Sequence, residues 1–227
     1  MRKSLAWLSS HFHVQLGLDS IVTTLHIVRS PSNPHEAPSI KIILLLEALA
    51  MDPTQTQFVR GHAAAWVAKA FAVARLTHLQ LAERSPETNL SGALEFFTRA
   101  KHPDHRLVIQ RAFWLPTRGL TGSRAWLDPL LDMTQGTRFL MRDHNGKYGD
   151  PRLATAWKGR TCDYGAANKS LRALLLLIGV APADVDRYKS ASFRKFLPHI
   201  ARARGLPNQA RNEIGLCMGR QRRAEGR

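Results

Sequence analysis

One arginine in this sequence lacks an obvious local reason. Between Gly61 and Ala74 the chain is rich in alanine and its only formal charge is Lys69; then Arg75 follows, in Ala72-Val-Ala-Arg-Leu-Thr-His-Leu-Gln80. A guanidinium beside such an uncharged helical segment costs several kcal/mol unless it meets water, a carboxylate or a bound anion. Lys101 and Arg194 are remote from it in sequence, yet all three fall at the predicted end of an element, where side chains can converge. Two arginines and a lysine around one point make a phosphate clamp: guanidinium forks bind phosphate oxygens in pairs, and an ammonium can give charge or a proton to a leaving oxygen. Taken alone, Lys101 reads as a solvated charge. Lys195 and Arg202, beside and beyond Arg194, extend the same phosphate-binding surface.

Other candidate chemistry is weaker. His11/His13 and His102/His105 have no cysteine or carboxylate cluster near them and read as ordinary surface or core histidines rather than ligands. Asp143-His-Asn-Gly146 places its glycine two positions too early for a calcium loop, and Gly119-Leu-Thr-Gly-Ser-Arg124 lacks the ending of a phosphate-binding loop. No metal and no cofactor are expected.

The elements that must position the basic set are legible in outline. Apolar spacing suggests a short helix near residues 4–14, with a second starting after Asp19-Ser20, and Ser30 to Pro38 reads as a linker. Beyond it, Ile40 to Met51 is a helix apolar nearly all round and ended by Asp52-Pro53, and 61–80 is the next. Residues 93–98 and 107–115 read as a β-hairpin turning at His102-Pro-Asp-His105, with Lys101 at its tip or shoulder. Gly119 to Gly122 is loop, Trp126 to Met133 a short helix, Arg138 to Met141 a third short strand, and Asp143 to Pro151 a surface loop. Residues 163–178 form a helix capped by Asp163 and stopped by Gly179 and Pro182. A serine-capped helix runs from Ser190 to Gly205 with a kink at Pro198, and a last one covers 208–218. The expected fold is mainly α with a small antiparallel β-hairpin or sheet. Its parts are a helical remnant (1–29), the linker (30–38), the main domain (39–218) and a basic tail (219–227).

Charge narrows the function class. The 227 residues carry 33 basic and 17 acidic groups, a formal +16; the first 98 hold 8 and 7, the remainder 25 and 10, so +15 belongs to residues 99–227. Such an excess favours a polyanion, nucleic acid first and an anionic membrane surface second. Two cysteines are too few for a disulfide framework and suggest a reduced compartment. No apolar run reaches the roughly 18 residues needed to cross a bilayer, and no secretory signal opens the chain, so a soluble protein with no membrane partner is expected.

Arg75 within Ala74-Arg-Leu-Thr-His-Leu-Gln80, Lys101 after Leu94-Glu-Phe-Phe97, and Ser192-Phe-Arg-Lys-Phe-Leu-Pro198 with Gly205 eleven residues after Arg194 resemble the catalytic domain of tyrosine recombinases of the phage-integrase type, particularly divergent members derived from eukaryotic transposons. The resemblance covers about residues 39–218, with 1–29 similar to the end of a preceding DNA-clamping domain. It implies DNA strand breakage and rejoining through a phosphotyrosyl bond, without metal or cofactor. By position Arg75 and Arg194 would hold the non-bridging phosphate oxygens and Lys101 would protonate the leaving oxygen.

The sequence departs from that pattern where the attacking group should be. Ala191 stands three residues before Arg194, where the family usually has histidine, and Ile214-Gly215 is followed by Leu216 rather than His or Trp. The tyrosines are Tyr148, Tyr164 and Tyr188, all upstream of Arg194, and Arg220 to Arg227 contains none. The expectation is a truncated or decayed recombinase- or integrase-like domain that binds double-stranded DNA, in an arrangement that allows a homo-oligomer on DNA, with the covalent step lost for want of a nucleophile. Its compartment would be the nucleus in a eukaryote and the cytoplasm otherwise. The alternative favoured by charge alone is a basic RNA-binding or ribosome-associated protein; a remnant with a merely solvating charge is a third.

Overall fold

Capping serine and threonine residues set the first two helices. The computed structural model describes residues 36–209 apart from 81, 90, 91, 102–107 and 138. The expectations for 1–29, for most of the 30–38 linker, for 210–227, and for His11, His13, His102 and His105 lie outside the described residues. Helix α1 (Ile40–Met51) starts where Ser39 Oγ accepts the Ile42 N–H (3.3 Å) and stops at Asp52, extended before Pro53. Helix α2 (Gln57–Ala72) starts likewise with Thr56 Oγ1 accepting the Val59 N–H (3.3 Å). From Phe58 to Ala72 nearly every residue of α2 is buried. Its alanines give neighbouring elements a close approach, and it is the central strut of the core.

The helix expected over 61–80 is broken. Val73 adopts a left-handed conformation (φ 51°, ψ 29°), and a short helix α3 (Leu76–Gln80) restarts after Arg75. A β-branched residue there costs about 1–2 kcal/mol, offset by burial of the Val73 side chain with Ala201 and Leu206. Valine is no helix breaker, so nothing local announces the stop. Alanine at this position would keep the backbone strain and lose the packing, whereas glycine would relieve the strain. Val73→Gly is therefore expected to be the more stable of the two variants by about 1 kcal/mol in urea denaturation, reversing the usual helical order.

The hairpin is present and belongs to a larger sheet. Strands β1 (Ala82–Asn89), β2 (Ala93–Lys101) and β3 (Val108–Pro116) are antiparallel in the order β1-β2-β3. Alternation turns Leu94, Phe96 and Thr98 inward, with Phe96 opposite and stacked on Phe113 (centroids 5.5 Å). Strand β1 went unread because Ala-Glu-Arg-Ser-Pro-Glu-Thr-Asn is polar and contains Pro86. The β1–β2 register shifts between Arg84 and Thr88, so the proline sits at an irregularity on an edge strand where no ladder N–H is demanded of it.

Helix α4 occupies Asp128–Thr134 in place of Trp126 to Met133. The third strand is displaced from Arg138–Met141 to β4 (Arg142–His144), paired antiparallel with β5 (Trp157–Thr161). Leu140 and Met141 are instead buried in the core, with the Leu140 N–H on the Leu79 carbonyl (2.9 Å). The expected loop at 143–151 is thus the end of β4 and two tight turns, Lys147–Gly149 and Pro151–Leu153. Helix α5 (Tyr164–Leu177) follows as expected, the Asp163 carboxylate accepting the Ala166 N–H (2.7 Å) and Gly179 turning left-handed (φ 84°) at its end.

After the short α6 (Pro182–Val185), the segment read as one helix is two, α7 (Ser190–Phe193) and α8 (Phe196–Ala203), separated at Arg194-Lys195. Pro198 lies in the first turn of α8, and the expected kink is a full break at Arg194, whose carbonyl is the one a proline at 198 cannot bond. Among the described residues the fold is mainly α with two small antiparallel sheets. Among the described residues no helix is long and apolar enough to cross a membrane.

Two buried polar clusters tie this frame together. Glu47, fully buried on α1, accepts the Leu120 N–H (2.7 Å), the Thr121 N–H (3.0 Å) and the Thr121 hydroxyl. The approach is so close that a Cβ on Gly119 would land on the carboxyl group. His62 of α2 donates from Nε2 to the Arg142 carbonyl (2.8 Å), which fixes the tautomer, and its Nδ1 accepts the Ser170 hydroxyl (2.6 Å). Its ring stacks on Trp157 (5.6 Å), and burial, with the His144 ring nearby, holds its pKa at about 3. Beside it Cys162 is buried and its thiol donates to the same carbonyl (3.4 Å).

Candidate nucleic-acid interface

The break after α2 presents Arg75. The Lys69 carbonyl accepts the N–H groups of Val73 and Ala74, which reverses the chain and leaves Arg75 exposed between α2 and α3. Its backbone is fixed from the other side, where the Arg75 N–H donates to His78 Nδ1 (3.2 Å) and the Arg75 carbonyl accepts the His78 N–H (3.0 Å). Arg75 therefore projects from a turn held at both ends, rather than from the end of a continuous helix as expected.

Arg194 arrives at the same turn from the far end of the chain. It sits at the α7–α8 junction, half-buried, and its Nε donates to the Val73 carbonyl (3.3 Å) across a separation of 121 residues. Burial first, and then the charge of Arg75, lower the pKa of its guanidinium. Arg75 and Arg194 are thus close enough for like charges to repel. None of the ion pairs among the described residues involves either arginine.

A third cation lies beneath them. Lys69 is 1% exposed, its Nζ donates to the Ala74 carbonyl (2.5 Å), and burial together with Arg194 lowers its pKa to about 7. Sequence reasoning gave it no role, although it was the sole formal charge between Gly61 and Ala74 and that was the available signal.

The remaining expected site residues are placed less fully. Lys101 ends β2 and pairs in register with Val108, so it stands at the hairpin's far end; its side chain lies outside the described residues. Lys195 and Arg202 are exposed at the start and in the last turn of α8. Ala191 is exposed on α7. Tyr148 is exposed in the tight turn after β4, Tyr164 opens α5, and Tyr188 is half-buried beside Glu36 and Arg187.

A second basic area, a cleft of about 250 Å³, is lined by Asp143, His144, Lys158, Arg160, Asp163 and Lys169. There Asp143 pairs with Lys158 (3.1 Å) and Arg160 (2.9 Å). Burial works against the Asp143 carboxylate, but those two partners bring its pKa below the ordinary value. Charges satisfied by one another have less to offer an anion than the unpaired arginines do.

No protein-family model matches the sequence, and no curated protein matches it. Among solved structures five chains match. One is similar at 14% identity over 84% of this chain and 53% of its own, with a TM-score of 0.47: the XerH site-specific recombinase bound to difH substrate, in a pre-cleavage complex. Another is the XerH site-specific recombinase bound to palindromic difH substrate, a post-cleavage complex, at 14% identity over 84% and 52% with a TM-score of 0.48. The present chain spans about half the length of these structures.

Proposed function

We propose that this chain is a recombinase-like domain that grips double-stranded DNA by its phosphates, with Arg75 and Arg194 on one phosphodiester. The observation that carries the reading is that Arg194 bonds the Val73 carbonyl, two residues before Arg75, near enough to feel the Arg75 charge, and that neither arginine has an ion-pair partner among the described residues. A half-buried guanidinium with an exposed one nearby is relieved by an anion, and a phosphodiester presents two non-bridging oxygens to two forks. The excess of +15 in residues 99–227 extends the attraction along the polyanion. The reading is one of binding. Covalent chemistry needs a hydroxyl in line with the leaving oxygen, and Tyr148, Tyr164 and Tyr188 stand on other turns and helix starts.

Affinity for mixed-sequence duplexes, measured from low to physiological salt, is expected to fall steeply, by about 0.9 log units per log unit of salt for each phosphate contact. Sequence preference should be small. Arg75→Ala and Arg194→Ala should each weaken binding by about 10- to 100-fold, the worth of a charge-assisted hydrogen bond. A flat salt response, or unchanged affinity in both variants, overturns the reading. Tighter binding of single-stranded RNA than of duplex DNA would move the chain to the RNA-binding alternative.

A further inference from the structure

The two carbonyls that precede Arg75 in the chain each accept from a cation, and the cations come from opposite sides. Arg194 bonds the Val73 carbonyl from the α7–α8 junction, and Lys69 bonds the Ala74 carbonyl from inside α2. Lys69 also closes the turn with its own carbonyl, which accepts from Val73 and Ala74. An ammonium has three protons to donate and cannot accept. Here it is sealed from solvent with one protein acceptor and, among the described residues, no carboxylate partner. The charged group that bears on it is Arg194; Arg75 and His78, whose Nδ1 is engaged by the Arg75 N–H, follow on the turn and α3.

We propose that Lys69 is a positioning residue beneath the Arg75–Arg194 pair, and that an incoming phosphodiester is bound together with a proton taken up by the Lys69 amine. The inference rests on the reading that Arg75 and Arg194 hold phosphate. In the free protein, burial and Arg194 leave the amine divided between its neutral and charged forms near neutral pH. A phosphate held by the two arginines cancels the Arg194 charge that opposes the ammonium and adds the counter-charge it lacks. The ammonium form is then favoured, the Ala74 carbonyl is held by a charge-assisted bond, and the turn that aims Arg75 tightens. By linkage, whatever binds with a proton binds better as pH falls. The proton comes from solvent, and no covalent bond changes other than N–H.

The test follows the lysine itself. The full chain, carrying ¹³C in its lysine side chains, is titrated by NMR alone and with a mixed-sequence duplex. One lysine is expected to titrate near neutrality in the free protein, to be missing in Lys69→Met, and to shift upward by at least about one pH unit with duplex, a tenfold effect. Duplex affinity of the wild type should fall about tenfold more than that of Lys69→Met between about pH 6 and about pH 8.5. The wild-type titration stands without the variant, because exposed lysines titrate near 10.4. A Lys69 amine that titrates with the exposed lysines, or is unmoved by duplex, overturns this inference; if Arg75→Ala still weakens binding, the clamp reading survives it. Binding indifferent to both arginines overturns the clamp, and the proposed coupling with it.

Discussion

Gly119→Ala is expected to destabilise the fold by about 3 kcal/mol or more, from the addition of a single methyl group. That methyl group would land on the Glu47 carboxyl group, which is fully buried. It cannot step aside freely, since it accepts the Leu120 and Thr121 N–H groups and the Thr121 hydroxyl. Displacing it strands buried donors and a buried acceptor together, each costing about 1–3 kcal/mol. Glu47→Ala should cost a similar amount for the complementary reason. The two substitutions remove one interaction, so Gly119→Ala made in the Glu47→Ala background should cost far less than in the wild type. Urea denaturation of the four proteins decides the matter: additive costs, or a Gly119→Ala variant as stable as the wild type, would show that the loop is not held by Glu47.

Acid should unfold this protein through His62. Its ring is neutral in the folded state, with a pKa of about 3 against 6.5 for a free imidazole. Between those values the unfolded chain binds a proton that the folded one refuses. The contribution of His62 to stability is therefore complete above about pH 6.5 and is lost as pH falls, at up to about 1.4 kcal/mol per pH unit. Protonation would put a second proton on Nδ1, where the Ser170 hydroxyl donates, and a charge in a wholly buried site. His144, whose pKa burial also lowers, adds in the same direction. Stability measured in urea from about pH 7.5 to about pH 4.5 should slope steeply for the wild type and by about one proton less for His62→Gln. Equal slopes would mean that His62 titrates alike folded and unfolded.

What could be read in advance follows the range of the forces involved. Helices α1 and α5 stood out because their signals are local: an apolar run stopped at Asp52-Pro53 for the one, and a cap at Asp163 with a stop at Gly179 for the other. The β2–β3 hairpin was equally visible in the alternation of Leu94, Phe96 and Phe113. The break at Val73 could not be seen, because what sustains it is Arg194, 121 residues away, and packing against Ala201 and Leu206. Strand β1 was hidden by Pro86, which an interior strand would forbid and an edge irregularity accommodates. At the candidate site, Arg75 was conspicuous because a guanidinium after an alanine-rich stretch with a single other charge must answer to something. Arg194 was singled out by motif and element type. Lys69 was visible as a lone charge, but its meaning lies in being buried under a turn, which only the folded chain defines.

The position of Cys162 makes it a natural clock. Its sulfur is sealed behind β4 and α5 with its proton engaged by the Arg142 carbonyl, and burial, then the negative charge of Asp143, pushes its pKa up to about 12. The reactive thiolate is thus suppressed twice, by lack of access and by lack of ionisation. Alkylation of this atom must wait for the His62–Trp157 side of the core to part, so with reagent concentrated enough to outpace reclosing its rate measures how often that side comes apart, and with dilute reagent it measures how large a share of the molecules is open.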